Sequence, residues 1–190
     1  MKSVWLFGYG SLIWRPDFEF LSSRVAWIDG WSRRFWQGSH DHRGVPEAPG
    51  RVVTLIPVSG ARCGGMAFEI DAMQARDIFP KLDYREKNGY ERCQSKLLFE
   101  PESVSAPSPD GIFYVANEGN PAFLGPASVE SIAKQISEAE GPSGSNTEYL
   151  INLARALRQH GIDDQHVFEI EAELIPVSYT HLTLPTILLV

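Results

Sequence analysis

Cysteine is scarce in this sequence: Cys63 and Cys93 are the only two in 190 residues. Two thiols so far apart make neither a metal-ligand motif nor a secreted disulfide framework, and reduced thiols in a cytoplasmic protein are the expectation. Long apolar runs are missing too. No stretch approaches the roughly 20 residues of a membrane span, so no membrane partner is expected. The opening Val4-Trp5-Leu6-Phe7 is interrupted by Gly8, Gly10 and Ser11 with no A-x-A-like cleavage site after it, and it reads as a buried strand rather than a signal peptide. Positive charge is in deficit, with 17 Lys and Arg against 24 Asp and Glu and a net charge of -7. Such a surface repels phosphate backbones, which argues against nucleic acid as a partner.

What is present is the composition of an ordinary globular chain, 43% hydrophobic and 11% aromatic with 16 Gly and 13 Pro. One domain over residues 1–176 is expected, large enough to bury a core without disulfides or a structural metal. Strand-rich segments fill the first two thirds and helical periodicity the last third, which predicts an α+β fold. The expected strands are Val4 to Tyr9, Arg24 to Ile28, Val52 to Ile56, Met66 to Ile70, Glu91 to Phe99 and Ile112 to Ala116, each rich in branched or aromatic residues. Helices are expected from Asp71, with Pro80 predicting a kink or an early end, from a Ser128 N-cap to Gly141, and from Thr147 to Gly161. Pro101 to Gly111 reads as a polar loop. Residues 177–190 abandon the helical pattern for a Thr/Leu-rich string that resembles translated cloning sequence and is read as a non-native tail.

Three segments carry candidate chemistry. Phe7-Gly8-Tyr9-Gly10-Ser11-Leu12-Ile13-Trp14 ends a strand with two glycines, a turn whose N–H groups can converge on an anionic or carbonyl oxygen. It is neither a dinucleotide fingerprint, since Ile13 replaces the third glycine, nor a P-loop, since no Gly-Lys-Ser/Thr follows. On these residues alone a glycine-rich β-turn with a core tryptophan is the simpler reading. In Asp83-Tyr84-Arg85-Glu86, Glu86 sits at an element terminus and is a proton shuttle if partly buried; otherwise the segment is a solvated helix end. The stretch from Arg33 to Arg43 is the most basic, but His40 and His42 lack further ligands for a metal, and arginines meeting carboxylates are the better reading. Asn146 or Thr147 is expected to cap the helix that follows Gly141-Pro142-Ser143-Gly144. No G-x-S-x-G elbow supports serine catalysis.

Together these segments resemble the ChaC-type, glutathione-specific γ-glutamylcyclotransferases. The resemblance rests on Phe7 to Trp14, Arg33 to Ser39, Asp41-His42-Arg43-Gly44, Pro49 to Leu55, Asp83 to Glu86 with Gly89-Tyr90, Leu124-Gly125-Pro126 and Gly141 to Tyr149, in order and up to about Ile175. It implies a γ-glutamylcyclotransferase-like fold, a small mixed β-barrel with flanking helices, and cleavage of glutathione to 5-oxoproline and cysteinylglycine without a cofactor. It further implies that Tyr9, Gly10, Ser11 and Leu12 hold the γ-glutamyl part through backbone amides, that Glu86 is the acid/base, and that Tyr149 lies beside the pocket. Arg34, Arg43 and Arg51 remain equal candidates for substrate carboxylates. Pro80, within the helix before Glu86, departs from the family pattern. Other γ-glutamyl amines as substrates, and a binding protein without turnover, are the alternatives. The oligomeric state is left open.

Overall fold

The computed structural model describes residues 2–86, 89–99 and 108–180, with side chains in the last helix as far as Leu174. Strands β1 (Ser3–Gly8), β2 (Ser22–Ser39), β3 (Gly50–Asp71), β4 (Tyr90–Lys96) and β5 (Asp110–Ala116) form one sheet in the order β2-β3-β1-β5-β4. Only the β1–β5 pair is parallel; the other three ladders are antiparallel. The fold is α+β. The barrel, however, is not closed: among the described residues the two edges meet at one bridge, where Trp27 of β2 and Leu98, just beyond β4, exchange two 2.9 Å backbone hydrogen bonds. One bridge does not make a ladder, and the sheet is described as open.

β2 and β3 are each much longer than the short strands expected. Gly30 (φ 79°) and Gly60 (φ 77°) look like turn formers in the sequence but serve as irregularities inside continuous strands. Between the pairs Asp29↔Arg62 and Trp31↔Pro57 the ladder shifts register and then resumes. The ribbon thus bends without losing its partner.

The described residues hold four α-helices: α1 (Ala75–Arg85), between β3 and β4, and then α2 (Val129–Glu138), α3 (Asn146–Gln159) and α4 (Gln165–Thr180). Asp71 binds the N–H of Met73 at 2.8 Å, a turn that delays the start of α1 to Ala75. Pro80 does not end α1, which continues to Arg85; Pro80 stands at the middle of the helix and faces solvent. Ser128 caps α2 as expected, through Ser131 N–H at 3.2 Å. α2 ends at Glu138, before Gly141, because Glu140–Gly141 pairs with Gly144–Ser145 as a small hairpin, β6 and β7. Ser145, rather than Asn146 or Thr147, caps α3, accepting from Glu148 N–H at 3.2 Å. The sequence pattern predicts no separate helix at α4. The alternation Phe168-Glu169-Ile170-Glu171-Ala172-Glu173-Leu174 obscures a helical stripe of Val167, Ile170 and Leu174, all buried. Its backbone continues through Val177 to Thr180. The rest of the tail, and most of the polar loop expected from Pro101, fall outside the described residues.

The core joins sheet and helices: Leu6, Phe7, Ile28, Leu55, Phe68 and Phe113 pack with Ile132, Ile136, Leu150, Leu153, Leu157 and Ile170. Burying each such side chain contributes about 1.5–3 kcal/mol, so α2, α3 and α4 are held by their apolar faces rather than by helix propensity.

Two fully buried amides behave in opposite ways. The Asn146 side chain donates to Arg51 O at 2.8 Å and accepts from Arg51 N at 2.6 Å, acting as a strand partner that joins the start of α3 to β3. Neither polar atom of the Gln37 side chain has a partner among the described residues. Asn146→Ala, which orphans two buried backbone groups, is expected to cost about 3 kcal/mol. Gln37→Met is expected to be neutral or to gain about 1 kcal/mol. Urea unfolding of both variants checks this, and a larger loss for Gln37→Met than for Asn146→Ala would reverse the assignment.

Candidate active site

β1 delivers the chain into a tight bend. Gly8 permits it, because a Cβ there would stand 2.7 Å from the Cβ of Leu12. Gly10 opens a single 3₁₀ turn, Ser11–Ile13, in which Ile13 N–H donates to Gly10 O at 3.0 Å. The leading N–H groups of such a turn have no acceptor within it. Leu12 and Ile13 are buried and pin the turn to the core. A Cβ on Gly10 would lie 3.1 Å from the Tyr149 hydroxyl, so that hydroxyl is brought directly against the bend.

The bend forms one wall of a cavity of about 320 Å³, lined also by Asp41, His42, Arg43, Val53, Glu86, Tyr90, Ser143 and Tyr149. The six residues singled out in the sequence, Tyr9, Gly10, Ser11, Leu12, Glu86 and Tyr149, all line this one cavity. A second hollow of about 420 Å³, lined by Phe18, Gln74 and Ile78 among others, shares Asp17 and Arg85 with it but lacks the glycine bend.

Glu86 is the C-cap of α1, its N–H donating to Leu82 O at 2.8 Å. The preceding residue fixes its place. Arg85 donates to Ser11 Oγ at 2.7 Å and to Asp17 at 2.9 Å, while its Nε lies 3.5 Å from Glu86 Oε1. One guanidinium therefore ties the end of α1 to the bend and sets the carboxylate beside it. Burial raises the Glu86 pKa above its ordinary value; the Arg85 charge opposes this, and Asp17 and Asp41 add to it.

Tyr9 is buried, and its hydroxyl donates to Tyr114 O at 2.6 Å, so it faces the sheet and offers the cavity its backbone. Burial, with the Glu86 charge second, holds its pKa well above the ordinary value. Tyr149 projects from α3 and packs edge-on against Trp14 and Phe35, at 5.4 and 6.1 Å between ring centroids. Its oxygen accepts from Val53 N–H, which leaves its own proton to donate, and burial lifts its pKa to about 12.

The structure places the three arginines differently. Arg43 lines the cavity, anchored by Ser145 O and by Glu148 at 3.0 Å. Arg51 is committed elsewhere, to Gln135 and to the carbonyls of Phe35 and Gly125. Arg34 donates to the carbonyl of Arg33 and does not reach the cavity wall. Arg15, Asp17 and Tyr114 line the cavity without having been singled out. No spacing rule marks them, since they arrive through the chain path after the bend and through the β5 register.

A family model described as ChaC-like protein matches residues 4–175. The chain belongs to the ChaC-like family. Among its relatives, glutathione-specific gamma-glutamylcyclotransferase 1 of Danio rerio is 44% identical, over 92% of this chain and 90% of the relative. Gamma-glutamylcyclotransferase 2-3 of Arabidopsis thaliana is 43% identical, over 88% of this chain and 86% of the relative. A crystal structure of the yeast gamma-glutamyl cyclotransferase specific to glutathione superposes with a TM-score of 0.84 at 29% identity, covering 93% of this chain and 97% of that one. Another, of a gamma-glutamyl cyclotransferase at 12% identity and TM-score 0.55, shares the fold.

In this ChaC-like site the cost of the buried carboxylate sets a pH signature. The folded pKa of Glu86 lies above the ordinary glutamate value of 4.5. Ionisation therefore costs more in the folded chain than in the unfolded one, and protonation relieves that cost as pH falls through the folded value. Glu86→Gln is expected to unfold at higher urea than the parent at pH 7, with the gap closing as pH nears 4.5. A parent that is the more stable of the two at pH 7 would show that Glu86 is stabilised, not strained, by its surroundings.

Proposed function

We propose that this chain is a γ-glutamylcyclotransferase that opens glutathione to 5-oxoproline and cysteinylglycine. The observation that carries the reading is the placement of one pKa-raised carboxylate, Glu86, beside the bend of Gly10 to Leu12 through the shared Arg85. The names of the relatives and of the yeast structure support glutathione as the substrate.

The chemistry needs no enzymic nucleophile. In a γ-glutamyl amide the α-amine and the γ-carbonyl carbon are separated by the atoms of a five-membered ring, and holding the chain bent turns attack into a unimolecular step of high effective concentration. Glu86 takes a proton from the α-ammonium. The freed amine nitrogen bonds to the γ-carbon, the oxyanion is held by N–H groups of the Gly10 to Leu12 bend, and the amide C–N bond breaks. That proton passes from Glu86 to the departing cysteinyl nitrogen, and the second proton, shed by the ring nitrogen as it becomes the lactam N–H, follows through the same carboxylate to the released amine, so cysteinylglycine leaves as the ammonium and Glu86 ends as it began. A pKa raised toward the operating pH suits a group that must both accept and return a proton.

The other residues fit the substrate's charges. Tyr149 stays protonated and adds a donor next to Gly10. Arg43, anchored on one side by Glu148, presents a cation to a substrate carboxylate. The two free thiols accord with the cytoplasm as the site of action, and among the described residues no helix is long and apolar enough to cross a membrane.

Incubation with glutathione, with mass spectrometry for 5-oxoproline, tests the reading. Glu86→Gln is expected to lower turnover about 100- to 10,000-fold while the protein stays folded. Undiminished product from that variant would remove Glu86 from the mechanism. γ-Glutamylalanine in place of glutathione should turn over more slowly; equal rates would widen the substrate class to γ-glutamyl amines in general.

A further inference from the structure

Among the described residues Arg33 is the largest side chain that is fully buried, and nothing in the mechanism above uses it. Its Nε donates to the carbonyl of Tyr9 at 2.8 Å, its Nη1 to Asp164 at 2.6 Å, and its Nη2 to the carbonyl of Gly64. Asp164 neutralises the charge and, through its other oxygen, accepts from Val167 N–H at 3.1 Å, capping α4. A buried guanidinium needs such a full set of partners to offset its desolvation. What matters for the site is which carbonyl it holds.

Tyr9 O belongs to the peptide that joins Tyr9 to Gly10. That unit is planar and trans, so its C=O and its N–H point in opposite directions. Holding Tyr9 O toward the buried guanidinium turns the Gly10 N–H the other way, away from that buried charge, and Gly10 itself lines the cavity. We infer that Arg33, with Asp164 as its counter-ion, is a positioning residue: it sets the peptide plane at the head of the bend and makes the start of α4 part of the support for catalysis. Asp164 lies 131 positions from Arg33 along the chain, so this support exists only in the folded molecule. The inference rests on the function proposed above, because the orientation of the Gly10 N–H matters to turnover only if the bend holds the reacting carbonyl.

The test compares Arg33→Lys with the double change Arg33→Met/Asp164→Asn. Lysine keeps the charge but is a single point that does not span Tyr9 O, Gly64 O and Asp164 together. The double change removes both charges, leaves no buried ion unpaired and keeps an oxygen to cap α4. Both are expected to fold, shown by cooperative urea unfolding. Both should lose about 10- to 100-fold in kcat with less than about threefold change in KM, as a small misplacement of a preorganised donor does. Ile132→Ala, a core change on α2, which contributes no residue to the cavity lining, serves as the control for lost stability and should keep the kcat of its folded fraction. A readout independent of turnover is the amide resonance of Gly10 in nitrogen-15-labelled protein, which should shift in Arg33→Lys while those of β5 stay in place. Arg33→Lys with parental kcat and an unmoved Gly10 resonance would overturn the inference, as would a double variant whose regained stability brought full turnover with it. If the parent itself released no 5-oxoproline, the proposed function would fall, and the Gly10 resonance would still decide whether Arg33 sets that peptide plane.

Discussion

The guanidinium of Arg85 binds Ser11 and Asp17 with one edge and lies beside Glu86 with another, and the rest of the site depends on that junction. The bend after β1 and the end of α1 are far apart in the chain and arise from separate local signals, one from glycines and the other from a helix terminus. Without a tie between them, a carboxylate at the end of α1 would turn to solvent, where its hydration is most favourable. The tie brings it under partial burial beside the bend, and the same burial raises its affinity for a proton. Position and acidity thus have one cause.

Around this junction the molecule is built from buried charges and amides that are almost all satisfied. Arg33 holds the peptide at the head of the bend from behind, Arg51 gathers the carbonyls of Phe35 and Gly125, and Asn146 pairs with the backbone of Arg51. Arg33 and Asn146 join the sheet to the bend and to α3, which line the cavity, while Arg51 joins it to the loop at Gly125 and to α2. Apolar packing supplies most of the stability, but it is tolerant of small shifts. Directional hydrogen bonds in a low-dielectric interior are less so, which is why a site that depends on sub-ångström placement is surrounded by them.

The residues of the site were legible wherever the chemistry left a local trace. Gly8 and Gly10 mark the bend, Arg85-Glu86 marks a helix end, and the run to Tyr149 marks a capped helix start. The roles of the arginines were not legible. Arg33 and Arg34 are neighbours with the same side chain, yet strand alternation turns one into the core and leaves the other partly exposed. Arg43 and Arg51 look equally suited to a carboxylate until Gln135 and two carbonyls claim the second. The long strands β2 and β3 were read as shorter pieces because a glycine that forms a bulge and a glycine that forms a turn have the same local signature.

The α+β class, the glycine bend, the carboxylate at the end of α1 and the helices α2 and α3 are written in local sequence, because each is specified by contacts or conformational preferences within a few residues. Tertiary structure alone decided that the sheet stays open with one bridge between its edges, that α4 is a helix, which arginine faces the cavity, and that Asp164 supports a bend at the opposite end of the chain. Those outcomes depend on groups that meet only after the chain has closed over large sequence distances. The energies that select them, burial and the pairing of desolvated charges, have no counterpart in any short window of residues.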